Sequence, residues 1–283
     1  MIVCYAQGGG LGHLTRVRAF LHTVHPDAPA TIISASRFTP DPRVCDRHRV
    51  LCPPTGSSPT DLSAWITATL DALPPHELVV DAFPRGIGGE LSAAVLSHRT
   101  RGVTHLARLL RWDVYRSVGP GRTMSPLRFD RTWTLEPLTP DHRTYLESVS
   151  AEVEPLDLTD PPPRDDPDPD RTARGAWLVV HSGPESETGE LLGYAQDCAT
   201  AEGIRPRLVL VAPDHPGQLP AGVQYLDAVP AWPLFARAAR VITAAGFNAV
   251  RQLRPWRSRH RMVPFPRRFD DQFARAARAA AAD

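Results

Sequence analysis

The stretch Ile2-Val3-Cys4-Tyr5-Ala6-Gln7-Gly8-Gly9-Gly10-Leu11-Gly12-His13-Leu14-Thr15-Arg16-Val17-Arg18-Ala19-Phe20-Leu21 reads as a buried strand, a glycine loop and a helix. Glycines let the backbone turn tightly and approach a ligand with no Cβ in the way. The helix start that follows offers unpaired N–H donors to an anion. His13 adds a proton acceptor at the carboxyl edge of a first strand, which is where open α/β sheets hold their ligands.

The same alternation continues outward. Thr31-Ile32-Ile33-Ser34 and Val50-Leu51 are short strand candidates, and 61–73 has helical spacing. Glu77-Leu78-Val79-Val80-Asp81-Ala82-Phe83 is another buried-strand run that ends at Pro84-Arg85-Gly86. A helix is expected over 89–98, with weaker strands at 103–110 and 131–135. Segment 154–174 changes character, with Pro161-Pro162-Pro163 and Asp165-Asp166-Pro167-Asp168-Pro169-Asp170, and reads as a disordered linker. Beyond it the pattern restarts: strand 176–181, loop Ser182-Gly183-Pro184, helix 187–202, strands 207–212 and 223–226, helix 232–239, strand 240–246, helix 248–253, strand 261–265 and an alanine-rich helix from Asp271. The expected fold is α/β, with an N-terminal Rossmann-like domain at 1–153, a linker at 154–174 and a C-terminal Rossmann-like domain at 175–283.

Composition narrows the function. The chain has 283 residues and a formal net charge of +1, which argues against a protein whose affinity rests on neutralising nucleic-acid phosphates. All 32 Lys and Arg residues are arginine. That excludes a Walker A lysine and a lysine Schiff base. Cys4, Cys45, Cys52 and Cys198 have no metal-binding spacing and read as reduced thiols. No apolar run reaches membrane-spanning length and no export signal opens the chain, so the expected location is the cytoplasm.

Three segments carry chemistry. The first is Gly8 to His13. It is not a dinucleotide fingerprint, because His13 stands where the third glycine belongs and no acidic residue ends a clear second strand about twenty positions on. The second, Thr243-Ala244-Ala245-Gly246-Phe247-Asn248-Ala249-Val250-Arg251-Gln252, is a strand end, small-residue turn and helix start suited to a phosphate. In the third, Phe265-Pro266-Arg267-Arg268-Phe269-Asp270-Asp271-Gln272, carboxylate and amide groups at a helix head can hold sugar hydroxyls.

In this order and spacing the chain resembles the inverting glycosyltransferases of the GT-B architecture, especially those like the peptidoglycan N-acetylglucosaminyltransferase (family 28-like). The resemblance implies two Rossmann-like domains across a cleft; the chain departs from the family in a shortened C-terminal end. It matches the acceptor-side glycine and histidine loop to Gly8, Gly9, Gly10, Gly12, His13 and Arg16. The nucleotide diphosphate turn corresponds to Ala245, Gly246, Phe247 and Asn248, and the donor-hexose segment to Asp271 and Gln272. Where the family grips the ribose with a glutamate, this chain has Gln252, which lacks charge-assisted strength. His181, Ser182 and Gly183 close the first strand of the second half beside the expected diphosphate, although Glu185 would repel it if turned inward. The implied partners are a nucleotide-sugar donor, UDP-linked by the resemblance, and an acceptor the sequence does not identify; no metal and no separate cofactor is expected.

Each residue also has a plainer reading. His13 is expected to be the general base, with a helix-terminal residue bonded to backbone as the alternative. Asp81 is expected to orient His13 or a substrate, or to cap a turn. The segment 105–116 mixes Leu106, Leu109, Leu110, Trp112 and Tyr115 with Arg108, Arg111 and Arg116. It suits either peripheral membrane contact with a lipid-linked acceptor or a partly buried element with a solvated arginine edge. Two further activities stay open. One is hydrolysis, since Gly10-Leu11-Gly12-His13-Leu14-Thr15-Arg16 also resembles the UDP-sugar hydrolases of pseudaminic acid biosynthesis. The other is non-catalytic nucleotide-sugar binding.

Overall fold

The computed structural model describes residues 1–118, 125–168 and 171–281. They form two compact units, Met1–Pro161 with Arg268–Asp270, and Pro162–Arg267 with Asp271–Asp283. The segment 268–270 thus packs with the first unit, although the chain on either side of it belongs to the second.

The first unit runs β1 (Ile2–Tyr5), α1 (Leu11–Val24), β2 (Ala30–Ile33), α2 (Pro42–Cys45), β3 (Arg49–Leu51), α3 (Pro59–Ala72), β4 (His76–Asp81), β5 (Thr100–Ala107), α4 (Trp112–Tyr115), β6 (Phe129–Thr134), α5 (Pro140–Val149) and β7 (Ser150–Pro155). Its seven strands pair in parallel in the order β3-β2-β1-β4-β5-β6-β7. Leu14, Val17, Phe20 and Leu21 recur at helical spacing on α1, as Leu62, Ile66 and Leu70 do on α3, and each helix buries that stripe. Each such side chain contributes about 1.5–3 kcal/mol. Residues of β1 and β4 face α3 in one core cluster with Leu91, Val95 and Val103.

The second unit runs β8 (Trp177–Val180), α6 (Glu185–Ala201), β9 (Leu208–Val211), β10 (Val223–Leu226), β11 (Arg240–Ala244), α7 (Phe247–Gln252), β12 (His260–Val263) and α8 (Gln272–Ala281). Its five parallel strands are ordered β10-β9-β8-β11-β12. In both sheets the strand order reverses beside the first strand, between β1 and β4 and between β8 and β11. Loops leaving the carboxyl ends of such a pair diverge and open a crevice.

Four expectations need correction. Segment 89–98 is not a helix but a single 3-10 turn at Ala93–Val95. There the Glu90 carboxylate turns back to accept the amides of Ile87 and Gly88, so side-chain bonding replaces the helical pattern. Segment 232–239 is likewise reduced to a 3-10 turn at Trp232–Leu234, where the amides of Leu234, Phe235 and Arg237 bond three residues back. The segment 154–174 is not a free linker. Glu154 and Pro155 complete β7, and the Thr159 amide donates to Thr23 Oγ1 at 2.9 Å. Asp168 is fully buried and accepts the amides of Thr172 and Ala173; Pro169 and Asp170 lie outside the described residues. Finally, Leu106, Leu109, Leu110, Trp112 and Tyr115 are all buried in the first unit, so segment 105–116 presents no apolar face to a lipid surface. Among the described residues no helix is long and apolar enough to cross a membrane.

Candidate active site

The site builds from the pairing of β1 with β4, which runs in register from Ile2 opposite Glu77 to Tyr5 opposite Val80. That register sets the end of β4, Asp81, beside the chain leaving β1. Gly10 caps α1, so His13 falls in the first turn of the helix and Arg16 one turn later. Asp81 is fully buried, and its Oδ2 lies 2.6 Å from His13 Nδ1. Arg16 grips the same carboxylate with Nε to Oδ1 at 2.5 Å and Nη2 to Oδ2 at 2.7 Å.

Proton placement follows from these contacts. Burial alone would push the Asp81 carboxyl up, but Arg16 and His13 outweigh it and hold it below the usual carboxylate range. An ionised carboxylate only accepts, so at 2.6 Å the hydrogen must sit on His13 Nδ1. Neutral His13 then has Nε2 as its bare acceptor. Burial lowers the His13 pKa below its ordinary value; Asp81 pulls it back up, and Arg16 and Arg108 push it down.

The surroundings fix the ring. A Cβ on Gly8 would lie 2.6 Å from His13 Nε2, and Gly8 has φ +152, so this position needs glycine. Gly9 and Gly10 face open space, and Gly12 is exposed within α1. After Asp81 the chain turns sharply at Ala82, whose φ of 63 is in the left-handed region at a cost of about 1–2 kcal/mol. That turn brings Phe83 to 5.7 Å from the His13 ring, centroid to centroid. Phe83 in turn packs on Tyr115 and Phe269. Arg108 stacks on Phe83 and pairs with Asp270.

In the second unit, β8 and β11 form the equivalent pair. His181 follows β8, and its Nε2 is 3.1 Å from Glu187 Oε2 in the first turn of α6. Arg267 holds both oxygens of Glu187, at 2.6 and 2.5 Å. Ser182 and Gly183 form the intervening turn, where a Cβ on Gly183 would lie 2.5 Å from His181 Nε2. Glu185 is turned aside to the Gly217 amide, so Glu187 is the carboxylate that occupies this turn. At the β11 end, Ala245 is buried, with its amide on Val263 and its carbonyl accepting from Arg275. Gly246 caps α7 with open space where a Cβ would stand. Phe247 and Asn248 begin α7 and Gln252 ends it. Asp271 caps α8 through the Ala274 amide. Gln272 is buried with Oε1 accepting from the Phe265 amide, so that acceptor serves the backbone and not a sugar hydroxyl.

The structure therefore brings His13, Asp81, Arg16 and Gly8 together. It separates Gln272 from any ligand-facing role for its carbonyl. Sequence reasoning missed Glu90, Glu187 and the Arg108–Asp270 pair. Glu90 had a signal, being an acidic residue among glycines before an apolar segment. Among the described residues no three or more His, Cys, Asp or Glu side chains converge as a metal site.

Neither a family model nor a curated protein sequence matches the chain. Solved structures do. Spinosyn rhamnosyltransferase SpnG, complexed with thymidine diphosphate, is 16% identical with a TM-score of 0.55, and the match covers 100% of this chain and 84% of that one. Glycosyltransferase SnogD from Streptomyces nogalater is 12% identical with a TM-score of 0.53, covering 99% and 87%. A UDP-N-acetylglucosamine 2-epimerase so described from Listeria monocytogenes is 10% identical with a TM-score of 0.51, covering 87% and 75%. Identities this low speak to fold and leave activity to the site. With two parallel Rossmann-like sheets matched along the whole chain, the protein has the GT-B fold.

Proposed function

We propose that the protein transfers a sugar from a nucleoside-diphosphate donor to an acceptor hydroxyl, with inversion and without a metal ion, and that His13 is the general base. The observation that carries this reading is the 2.6 Å contact of His13 Nδ1 with buried Asp81, which leaves Nε2 as a proton acceptor. In the proposed step the acceptor hydroxyl gives its proton to Nε2 while its oxygen attacks the anomeric carbon. The bond from that carbon to the diphosphate oxygen breaks on the opposite face, and the nucleoside diphosphate leaves with the electron pair. Asp81 stabilises the imidazolium that forms, as the acidic partner does in other His–Asp pairs. Base catalysis of this kind contributes about 10²–10⁴-fold.

The donor is assigned to the second unit and its diphosphate to the turn at Gly246, where small residues leave room at the head of α7. The alternative turn, at Ser182 and Gly183, is taken up by Glu187, whose carboxylate is already paired with Arg267 and His181. A pyrimidine nucleoside diphosphate suits both the family resemblance, which implies UDP, and the thymidine diphosphate held by SpnG.

The test is a thermal-shift screen of UDP- and TDP-sugars, followed by turnover with and without an acceptor panel. A donor at about a hundred times its Kd stabilises by about 2.7 kcal/mol. His13→Ala should lose at least about 10²-fold in kcat and keep the donor-induced shift. Full turnover by that variant removes His13 from the chemistry. Free sugar released with no acceptor present assigns the same base to water and makes the protein a hydrolase, whereas binding without turnover makes it a non-catalytic nucleotide-sugar binder.

A further inference from the structure

Arg16 is 3% exposed, and two of its nitrogens are bonded to the Asp81 carboxylate that also takes the His13 proton. Its Nη2 stands 3.1 Å from His13 Nδ1. A charge count over these three side chains shows what the arrangement does. With His13 neutral, Arg16 and Asp81 cancel; protonating His13 leaves a net positive charge in a buried site. Without Arg16 the balance reverses, because neutral His13 would leave a lone buried carboxylate and protonated His13 would neutralise it. Buried net charge is strongly disfavoured, so Arg16 favours the neutral state of His13, in the same direction as burial of the ring.

We propose that Arg16 is a positioning residue for the reaction: by holding Asp81 it fixes the Nδ1–H tautomer of His13 and keeps the imidazole unprotonated, with Nε2 ready to take a proton. The proposal rests on the reading of His13 as base. It gives Arg16 a different task from contact with phosphate or acceptor, since its guanidinium is turned into the protein and onto a carboxylate.

The other groups around this cluster are few. Arg108, which follows β5, carries a positive charge toward His13 and is paired with Asp270. Buried His105 on β5 and buried Cys4 on β1 both feel the Asp81 charge. Burial holds His105 neutral and keeps the Cys4 thiol protonated, so neither supplies a charge. The first turn of α1 places His13 at the positive end of a helix dipole, which works in the same direction as Arg16.

The experiment is an NMR titration of the His13 ring in the free protein, its signal identified by its loss in His13→Ala. Wild type, Arg16→Gln and Arg16→Lys are compared. Gln keeps a donor for Asp81 and removes the charge, whereas Lys keeps the charge. Wild-type His13 should titrate below the ordinary imidazole value of about 6.5, and Arg16→Lys should follow it. Arg16→Gln should titrate higher by about one pH unit or more, and the acidic limb of its kcat/KM profile should move by the same amount. An Arg16→Gln titration that overlays wild type, or an Arg16→Lys titration that moves as far as Gln, overturns the proposal. If neither variant folds, the wild type still decides: a His13 that titrates at or above the ordinary value overturns it. The titration needs no donor, so its failure is distinct from failure of the base assignment, which shows as turnover retained in His13→Ala.

Discussion

At the scale of single residues, the arrangement around His13 depends on what is absent at position 8. A methyl group there would overlap the imidazole, and the Gly8 φ of +152 is one that L-residues rarely adopt. The ring would have to leave its bond to Asp81, because the backbone of β1 is pinned on both sides by β2 and β4. Gly8→Ala is therefore expected to cost about 1–3 kcal/mol of stability and to lower kcat by about 10²-fold or more. Gly9→Ala is the matched control: nothing lies within 4 Å of its added carbon, so its stability should stay within about 0.5 kcal/mol of wild type. Denaturant titrations and kcat for the two variants check this, and a fully active Gly8→Ala protein would show that His13 does not need its present position.

At the scale of elements, the loop leaving β4 is held by a buried acid. Glu90 accepts the Tyr5 hydroxyl at 2.5 Å from β1 and the amides of Ile87 and Gly88 from its own loop. Tyr115 closes the other side: its hydroxyl donates to the Gly86 carbonyl and accepts the Arg85 amide. Burial, together with the Glu90 charge, pushes the Tyr5 hydroxyl well above its ordinary pKa, so it remains a donor. Tyr5→Phe removes one bond to a buried carboxylate and should cost about 1.5–3 kcal/mol, with β1 and β4 still paired. A loss under about 0.5 kcal/mol by urea unfolding would mean that the loop is held by its own backbone. This loop also marks where sequence reading stops. Runs such as Ile2–Tyr5 and the Leu78–Val80 centre of β4 declare themselves because strand residues buried on both faces are apolar. The helical stripes of α1 and α3 declare themselves by spacing. Edge strand β7, Ser150–Pro155, does not, because most of its side chains are exposed and its composition is that of a loop. The convergence of His13 with Asp81 follows from strand order and is readable once β1 and β4 are paired. The sharing of Asp81 with Arg16, the role of Glu90 and the return of Phe269 and Asp270 to the first unit depend on side-chain directions and long-range packing, which leave no local pattern.

At the scale of the whole molecule, histidines buried without charge make the two units unequal in acid. In the first unit His105 lies against Phe129 and His142 stacks on Trp112 at 4.3 Å between centroids; both are fully buried. Burial brings them down to about 4 and about 3. The second unit has His260, held at about 3 by burial and the nearby Arg257 and Arg261. His13 and His48 in the first unit and His181 in the second are lowered by burial as well. A histidine lowered in the folded state is neutral there while the unfolded chain takes up a proton. Its contribution is complete above about pH 6.5 and is lost as pH falls toward the folded value, at up to about 1.4 kcal/mol per pH unit for each group. Carboxylates with lowered pKa, such as Asp81 and Glu187, lose their contribution only at lower pH, in the carboxylate range. Between about pH 6.5 and about pH 5 the first unit should therefore lose stability more steeply than the second, with four lowered histidines against two. Hydrogen exchange resolved by segment measures this directly: amides of β1, β4 and β5 should lose protection faster on acidification than those of β8, β9 and β11. His142→Phe keeps a ring against Trp112 and removes one proton-binding site, so it should flatten the slope of the first unit alone. Equal slopes in the two units, or an unchanged slope in that variant, would place the acid response elsewhere than in these buried rings.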